Sequence, residues 1–186
     1  KIPLLTQPQV IKIADDFARL HEAIKFFDAG DVQANGFQIV EDNSPEETFT
    51  DSGSSYMGFA VSALLSQALA DEGRYGIALT GDGSFMMNPQ ILIDGIQHGV
   101  HGTILLLDNR RMAAISQLQE AQYGCTYRTN DLVEVDYVKM AQSIKGIRAF
   151  WGGTTLEDLK KVLVEAYAHP GLSLIHVPVY HGPNPL

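Results

Sequence analysis

Residues 75–89, YGIALTGDGSFMMNP, join a nearly all-apolar run to a Gly-Asp-Gly-Ser step and then an Asn-Pro pair. YGIALT (75–80) is short and apolar, as expected of a strand covered on both faces. Asn88 and Pro89 predict a helix N-cap and first helical residue, followed by a helix over QILIDGIQHGV (90–100). A second buried strand, GTILLLDN, follows at 102–109. Outward from this unit the pattern repeats. DYVKMAQSIKG (136–146), IRAFWGG (147–153), TTLEDLKKVLVEAYAHP (154–170) and LSLIHVPV (172–179) predict helix, strand, helix and strand. Upstream, MGFAVSALLSQALADEG (57–73) predicts a tightly packed helix ended by Gly73. EETFTDSG (46–53) predicts a short strand running into a turn. QVIKIADDFARLHEAIKFF (9–27) predicts a single amphipathic helix, with DAGD (28–31) and ANG (34–36) breaking the chain after it. Strands alternating with helices predict an α/β fold, a doubly wound parallel sheet with helices on both faces.

The bulk composition bounds the function. The 186 residues suit one domain, 1–186, with an N-terminal helix and lead-in over 1–47 and a motif-bearing core over 48–180. Apolar residues make up 45% and charged residues 19%, a globular balance, and there is no internal repeat or long linker. The net charge of −9, without a Lys/Arg run, argues against a nucleic-acid role. A phosphorylated ligand would need local neutralisation, by a metal or helix dipoles. One cysteine, Cys125, makes an intrachain disulfide impossible, and a reducing cytoplasm is the expected compartment. No apolar run reaches the length of a membrane span. KIPLLTQPQV lacks the apolar core of a signal peptide and an initiator Met, so a chain trimmed or cut from something longer is expected.

Taken alone, GDGS reads equally as a turn or a site. A dinucleotide fingerprint needs Gly at position 86, which is Met86, and no Gly-Lys-Ser/Thr follows for a P-loop. An aspartate between the glycines would repel a bare pyrophosphate. It becomes useful if a divalent cation lies between carboxylate and phosphate, since Mg²⁺ takes one or two protein oxygens plus phosphate oxygens. Flanking glycines let backbone come close, and a following helix N-terminus favours the anion. A second ligand is available 27 residues on, where Asp108-Asn109 closes the next buried strand and a crossover returns the chain to a neighbouring strand end.

GDGS followed at this distance by a (N/D)-N pair resembles the thiamine-diphosphate motif. With SGSSYMGFAVSALLSQAL (52–69), DYVKMAQSIKG and LSLIHVPV, the chain resembles the decarboxylase/acetolactate synthase superfamily over roughly residues 48–180, in its pyrophosphate-binding (PP) domain. The resemblance implies thiamine diphosphate and Mg²⁺ as cofactors. It implies Asp82, the Asn109 side chain and the Arg111 carbonyl as metal ligands. Gly81, Gly83 and Ser84 would belong to the diphosphate contacts, and Met112, Ala113 and Ala114 would close over it. Met57, 25 residues before Asp82, would be the bulky residue under the thiazolium, with backbone of Ser55 and Met57 at the aminopyrimidine. The sequence departs from the pattern at Asp108, in place of a commoner Asn, a change expected to matter little. It departs again in RRMAA (110–114), which replaces a more Gly-rich stretch.

The glutamate that activates the cofactor in this superfamily lies on a pyrimidine-binding (Pyr) domain, which these residues do not supply. The resemblance therefore implies a split enzyme, as in sulfopyruvate decarboxylase, with a Pyr-domain partner subunit in an α₂β₂ hetero-oligomer. It would decarboxylate a small 2-oxo acid and protonate the product or add it to a second carbonyl. The alternatives are the β-subunit of a 2-oxoacid oxidoreductase, a transketolase-like half, and a non-catalytic cofactor-binding partner. A single cysteine disfavours an iron–sulfur cluster on this chain. Other polar residues read as bland. His98 and His101 are expected at the surface, His176 as a satisfied core histidine, Cys125 as incidental, and EDNSPEE (41–47) as a solvated loop. His181 could reach over the strand ends, and Arg110 and Arg111 serve equally as surface residues or as attractors of an anion.

Overall fold

The computed structural model describes residues 3–182. Helix α1 (Gln7–Leu20) leads into strand β1 (Ile24–Phe27), α2 (Asp31–Ile39) and β2 (Thr48–Thr50). Two short helices, α3 (Phe59–Ala63) and α4 (Leu65–Leu69), precede β3 (Gly76–Gly81). Then come α5 (Asp82–Phe85), α6 (Ile91–Gln97), β4 (Gly102–Asp108) and α7 (Ala113–Tyr123). The chain closes with α8 (Tyr137–Gln142), β5 (Arg148–Trp151), α9 (Leu156–Tyr167) and β6 (Leu172–Pro178).

The strands form one sheet in the order β2-β1-β3-β4-β6-β5, and every pairing is parallel. From β1 the chain first runs outward to β2 and then returns past β1 to β3. That reversal is a switch point, where helices leave toward opposite faces and a crevice opens beyond the strand ends. Alternate residues of each central strand feed two cores. Leu105, Leu107, Ile175 and Val177 pack with α1 and α9 on one face. Ile104, Leu106, Leu172 and Leu174 pack with α3, α6 and α8 on the other. The expected doubly wound α/β sheet is therefore the observed one.

The local readings fail in instructive places. The helix expected over 9–27 stops at Leu20, and IKFF is strand β1. Thr6 caps α1 in a capping box with Gln9. All four residues of β1 are buried, Lys25 included, so the strand shows no two-residue alternation and its apolar residues extend the helical pattern of α1. ANG lies inside α2 and breaks nothing. Gly36 is there because α2 runs against β1: a Cβ at 36 would lie 2.6 Å from Phe27 Cδ1. The helix expected over 57–73 divides at Leu64 and ends before Gly73. Asn88 does not cap α6, which starts at Ile91; its side-chain amide donates to Ser62 Oγ at 2.8 Å. Helices α5 and α7 were not expected. In KIPLLTQPQV and YHGPNPL, residues 1–2 and 183–186 lie outside the described residues. Among the described residues no helix is long and apolar enough to cross a membrane.

Lys25 is the largest surprise in the core, at 1% exposure. Its ammonium donates to Asp15 Oδ1 at 2.6 Å, Asp42 Oδ1 at 2.8 Å and the Glu41 carbonyl at 3.3 Å. One cation thereby ties α1, β1 and the lead-in to β2 together. Removing one partner of such a buried cluster strands the other charges. Lys25→Ala is expected to cost about 3–5 kcal/mol in urea unfolding, and the Asp15→Leu/Lys25→Met double variant less than the sum of its single changes.

Candidate cofactor site

Three strand ends meet at the switch point, and each turns at once into a helix or tight turn. Strand β1 gives way to Asp28–Asp31, β3 to Gly81–Ser84, and β4 to Asp108–Arg111. Together they open a cavity of about 270 Å³. Gly81, Asp82, Gly83 and Ser84 line its β3 side. Asn109 and Arg111 line the β4 side, and Met112, Ala113 and Ala114 continue the wall into α7. Ser55 and Met57 enter from the segment before α3. Every residue singled out by the motif thus faces one space. Sequence reasoning missed Gln7, Gly30, Asp31 and Val32, which also line it. The signal was DAGD, a Gly-Asp step opening a helix straight after a strand, hidden because β1 read as helix.

Pairing sets the geometry of the acids. In the β3–β4 ladder Gly81 stands beside Leu107, so Asp82 and Asp108 emerge next to each other. Asp82 is 4% exposed, and burial, joined by the charges of Asp108 and Asp131, pushes its carboxyl up to about 7. Among the described residues no Lys or Arg forms an ion pair with it. Burial likewise raises Asp31, which the Arg111 charge partly offsets. Asp82, buried beside Asp108, thus has no cation of its own among the described residues. The only buried side-chain polar atom without a partner among the described residues, Arg111 Nε, belongs to a residue of the same cavity wall. A divalent ion with an anion beside it fits this donor set. No cluster of three His, Cys, Asp or Glu side chains suits a metal among the described residues. An Asp, an amide and a carbonyl suit a hard ion that keeps water and phosphate oxygens.

The walls are held from behind. Asn109 Oδ1 accepts from the Arg111 amide at 3.0 Å, and the Met112 amide donates to the Thr129 carbonyl at 2.8 Å. Asp51 takes the Gly53 and Ser54 amides on Oδ1 and the Tyr56 amide on Oδ2, a turn that carries Ser55 in the left-handed region at φ +54. Asp28, fully buried at the end of β1, accepts from the Gly58 amide at 2.8 Å, the Ala29 amide at 3.0 Å and Thr80 Oγ1 at 2.9 Å. It thus joins β1, β3 and the segment bearing Met57. At Gly83 an added Cβ would sit 3.5 Å from Met57 Cε, so these two sides of the cavity nearly touch.

The remaining histidines sort as follows. His98 and His101 are exposed. His176 is 8% exposed and donates from Nε2 to Asp108 Oδ2 at 2.9 Å. His181 approaches through its backbone: its carbonyl accepts from Arg111 Nη1 at 2.8 Å. Cys125 is exposed. Of the cavity's lining residues, Met112 and Ile115 are exposed apolar side chains; Leu118, three residues further along α7, and Tyr56, next to Met57, are exposed as well.

The family described as thiamine pyrophosphate enzyme, C-terminal TPP binding domain, matches residues 28–177. The chain belongs to that family. The match starts at residue 28 and not near 48, so it takes in the Asp28–Asp31 wall. A 3D-(3,5/4)-trihydroxycyclohexane-1,2-dione hydrolase of Bacillus licheniformis is 32% identical over 164 residues, 85% of this chain and 25% of that one. Its counterpart in Halalkalibacterium halodurans is 35% identical over 133 residues, 68% of this chain and 21% of that one. The chain spans about a quarter of the length of these relatives. Benzoylformate decarboxylase from Polynucleobacter necessarius superposes with a TM-score of 0.81 at 22% identity, over 95% of this chain and 33% of that one, a likeness of fold. This is therefore a thiamine-diphosphate-binding domain of the parallel α/β type.

Asp28 gives the site's support a measurable value. Asp28→Ala leaves the Gly58 and Ala29 amides without an acceptor, and Thr80 with only the Gly81 carbonyl, and is expected to cost about 2–4 kcal/mol in denaturant unfolding. Asp28→Asn, which keeps one oxygen, should lose less.

Proposed function

We propose that this domain is the PP subunit of a two-subunit, thiamine-diphosphate- and Mg²⁺-dependent enzyme that decarboxylates a 2-oxo acid. The product is then protonated or joined to a second carbonyl, as in an acetolactate synthase-like reaction. The observation that carries the reading is the pair of strand ends, β3 and β4, that set Asp82 and Asn109 against one cavity in a chain of this family. Asp82, the Asn109 amide oxygen and the Arg111 carbonyl would hold Mg²⁺. Gly81, Gly83 and Ser84 would give the diphosphate close backbone, and Arg111 Nε a free donor. Met112, Ala113 and Ala114 would shut out water. Met57, opposite Gly83, would support the ring end, with Ser55 beside it. Thiamine diphosphate, when bound, supplies the carbon nucleophile that attacks a 2-oxo carbon and accepts the electrons released by loss of CO₂.

The chain's own part is anchoring and orientation. The proton handling that starts the reaction falls to a glutamate of a Pyr-domain partner in an α₂β₂ assembly. The exposed apolar side chains of Met112 and Ile115, both on the cavity wall, support a partner surface there. The relatives' names support a second reading in which the same anchored cofactor serves hydrolytic cleavage of a cyclic 1,2-dione.

Two outcomes test the reading. Calorimetric titration of the chain with its Pyr-domain partner should show thiamine diphosphate binding that requires Mg²⁺. Asp82→Ala should weaken it at least a hundredfold, about 2.7 kcal/mol; unchanged binding would sink the assignment. Assays with 2-oxo acids should find the chain silent alone and active once the partner is added. Turnover by this chain by itself would overturn the split-site arrangement.

A further inference from the structure

We propose that His176 is a positioning residue. Through Asp108 it locks the turn that presents Asn109 and the Arg111 carbonyl to the cavity. The turn is unusual. Arg110, at its centre, has φ +54, the left-handed region that a non-glycine residue keeps only where its surroundings hold it. Asp108 does the holding with both carboxylate oxygens. Its Oδ1 accepts from the Arg110 amide at 3.1 Å and its Oδ2 from His176 Nε2 at 2.9 Å. On the backbone side the Asp108 carbonyl accepts from the Val179 amide at 2.9 Å. The Asn109 side chain then closes the turn on the Arg111 amide at 3.0 Å.

His176 stands on β6 opposite Leu106, two residues short of the Asp108–Pro178 pair, so its ring reaches along the ladder to the strand end. It cannot swing away. Tyr137 packs edge-on at 5.1 Å between ring centroids and Trp151 at 5.2 Å. This arrangement also accounts for an acid at 108. A carboxylate offers one oxygen to each donor, whereas an amide could serve both only with its oxygen on Arg110 and its NH₂ on an Nε2 that has given up its proton. An Asp108 without His176 would keep a nearly buried oxygen unpaired. The orientation of the Asn109–Arg111 turn thus depends on a residue nearly seventy positions later in the chain.

The brace rests on geometry alone; its effect on the metal rests on the function proposed above. The experiment separates the two. Amide hydrogen exchange, read without cofactor and where far-UV circular dichroism matches wild type, compares His176→Leu, His176→Gln and Asp108→Leu. In His176→Leu the Arg110 and Arg111 amides should exchange about tenfold faster or more, with Leu105 and Leu106 unchanged. His176→Gln, which restores a donor, should stay within about threefold of wild type. Asp108→Leu, close in shape but with no acceptor, should speed Arg110 exchange even if His176→Leu fails to fold. With the partner present, His176→Leu should raise the Mg²⁺ needed for half-maximal thiamine diphosphate binding about 10–100-fold. Wild-type exchange at Arg110 and Arg111 in the folded variants, or equal acceleration along all of β4, overturns the proposal. Failure of the wild-type pair to bind the cofactor overturns the function proposed above, and the exchange data still decide the brace.

Discussion

The parallel ladder between β3 and β4 runs from Gly76 beside Gly102 to Gly81 beside Leu107, and both strands are apolar on both faces. Such strands leave no room for charge along their length, and their polar side chains, Thr80 and Thr103, are uncharged and fully buried. Carboxylates appear only where the ladder stops, and because it is parallel it stops at one end for both strands. Asp82 and Asp108 are neighbours for that reason and no other. The crowding begins at the far end: a Cβ on Gly102 would come within 2.6 Å of the Gly76 carbonyl oxygen. The same packing that makes the sheet a continuous core thus delivers a cluster of carboxyls to a single edge.

That cluster sets the electrical character of the site. A diphosphate and buried aspartates repel each other, and the domain as a whole is acidic at −9. A cavity of this kind discriminates by charge: it disfavours a bare anion. Arg111 moderates the balance from the wall, leaning on Asp31 and on the His181 carbonyl. Beneath it the supports are local. Asp51 spends its oxygens on backbone amides, and Asp28 on two amides and the Thr80 hydroxyl, which shapes the approach of the Met57 segment without adding free charge to the cavity.

The sheet and most of its wall were legible because buried parallel strands end in polar residues, and GDGS and DN are such ends. Met57 and the 112–114 wall came with the family resemblance, since nothing in their spacing alone says they face the same space. Asp31 and Gly30 were invisible for a physical reason: β1 is buried on every side and even hides a lysine, so its four residues merge with the amphipathic pattern of α1. The division at Leu64 and the short α5 turn were equally hidden, because tertiary packing sets where such short helices stop. The role of His176 shows only in space, since the carboxylate it serves is distant in sequence.

The exposed apolar side chains beside the cavity have a colloidal consequence. At neutral pH the net charge of −9 keeps copies of the domain apart, although Met112, Leu118 and Tyr56 offer adhesive surface to water. The isoelectric point lies near 5.0, and there that mutual repulsion vanishes while the apolar surface is unchanged. Acidification therefore leaves apolar adhesion between molecules opposed by little net charge, and the exposed side chains beside the cavity take part in it.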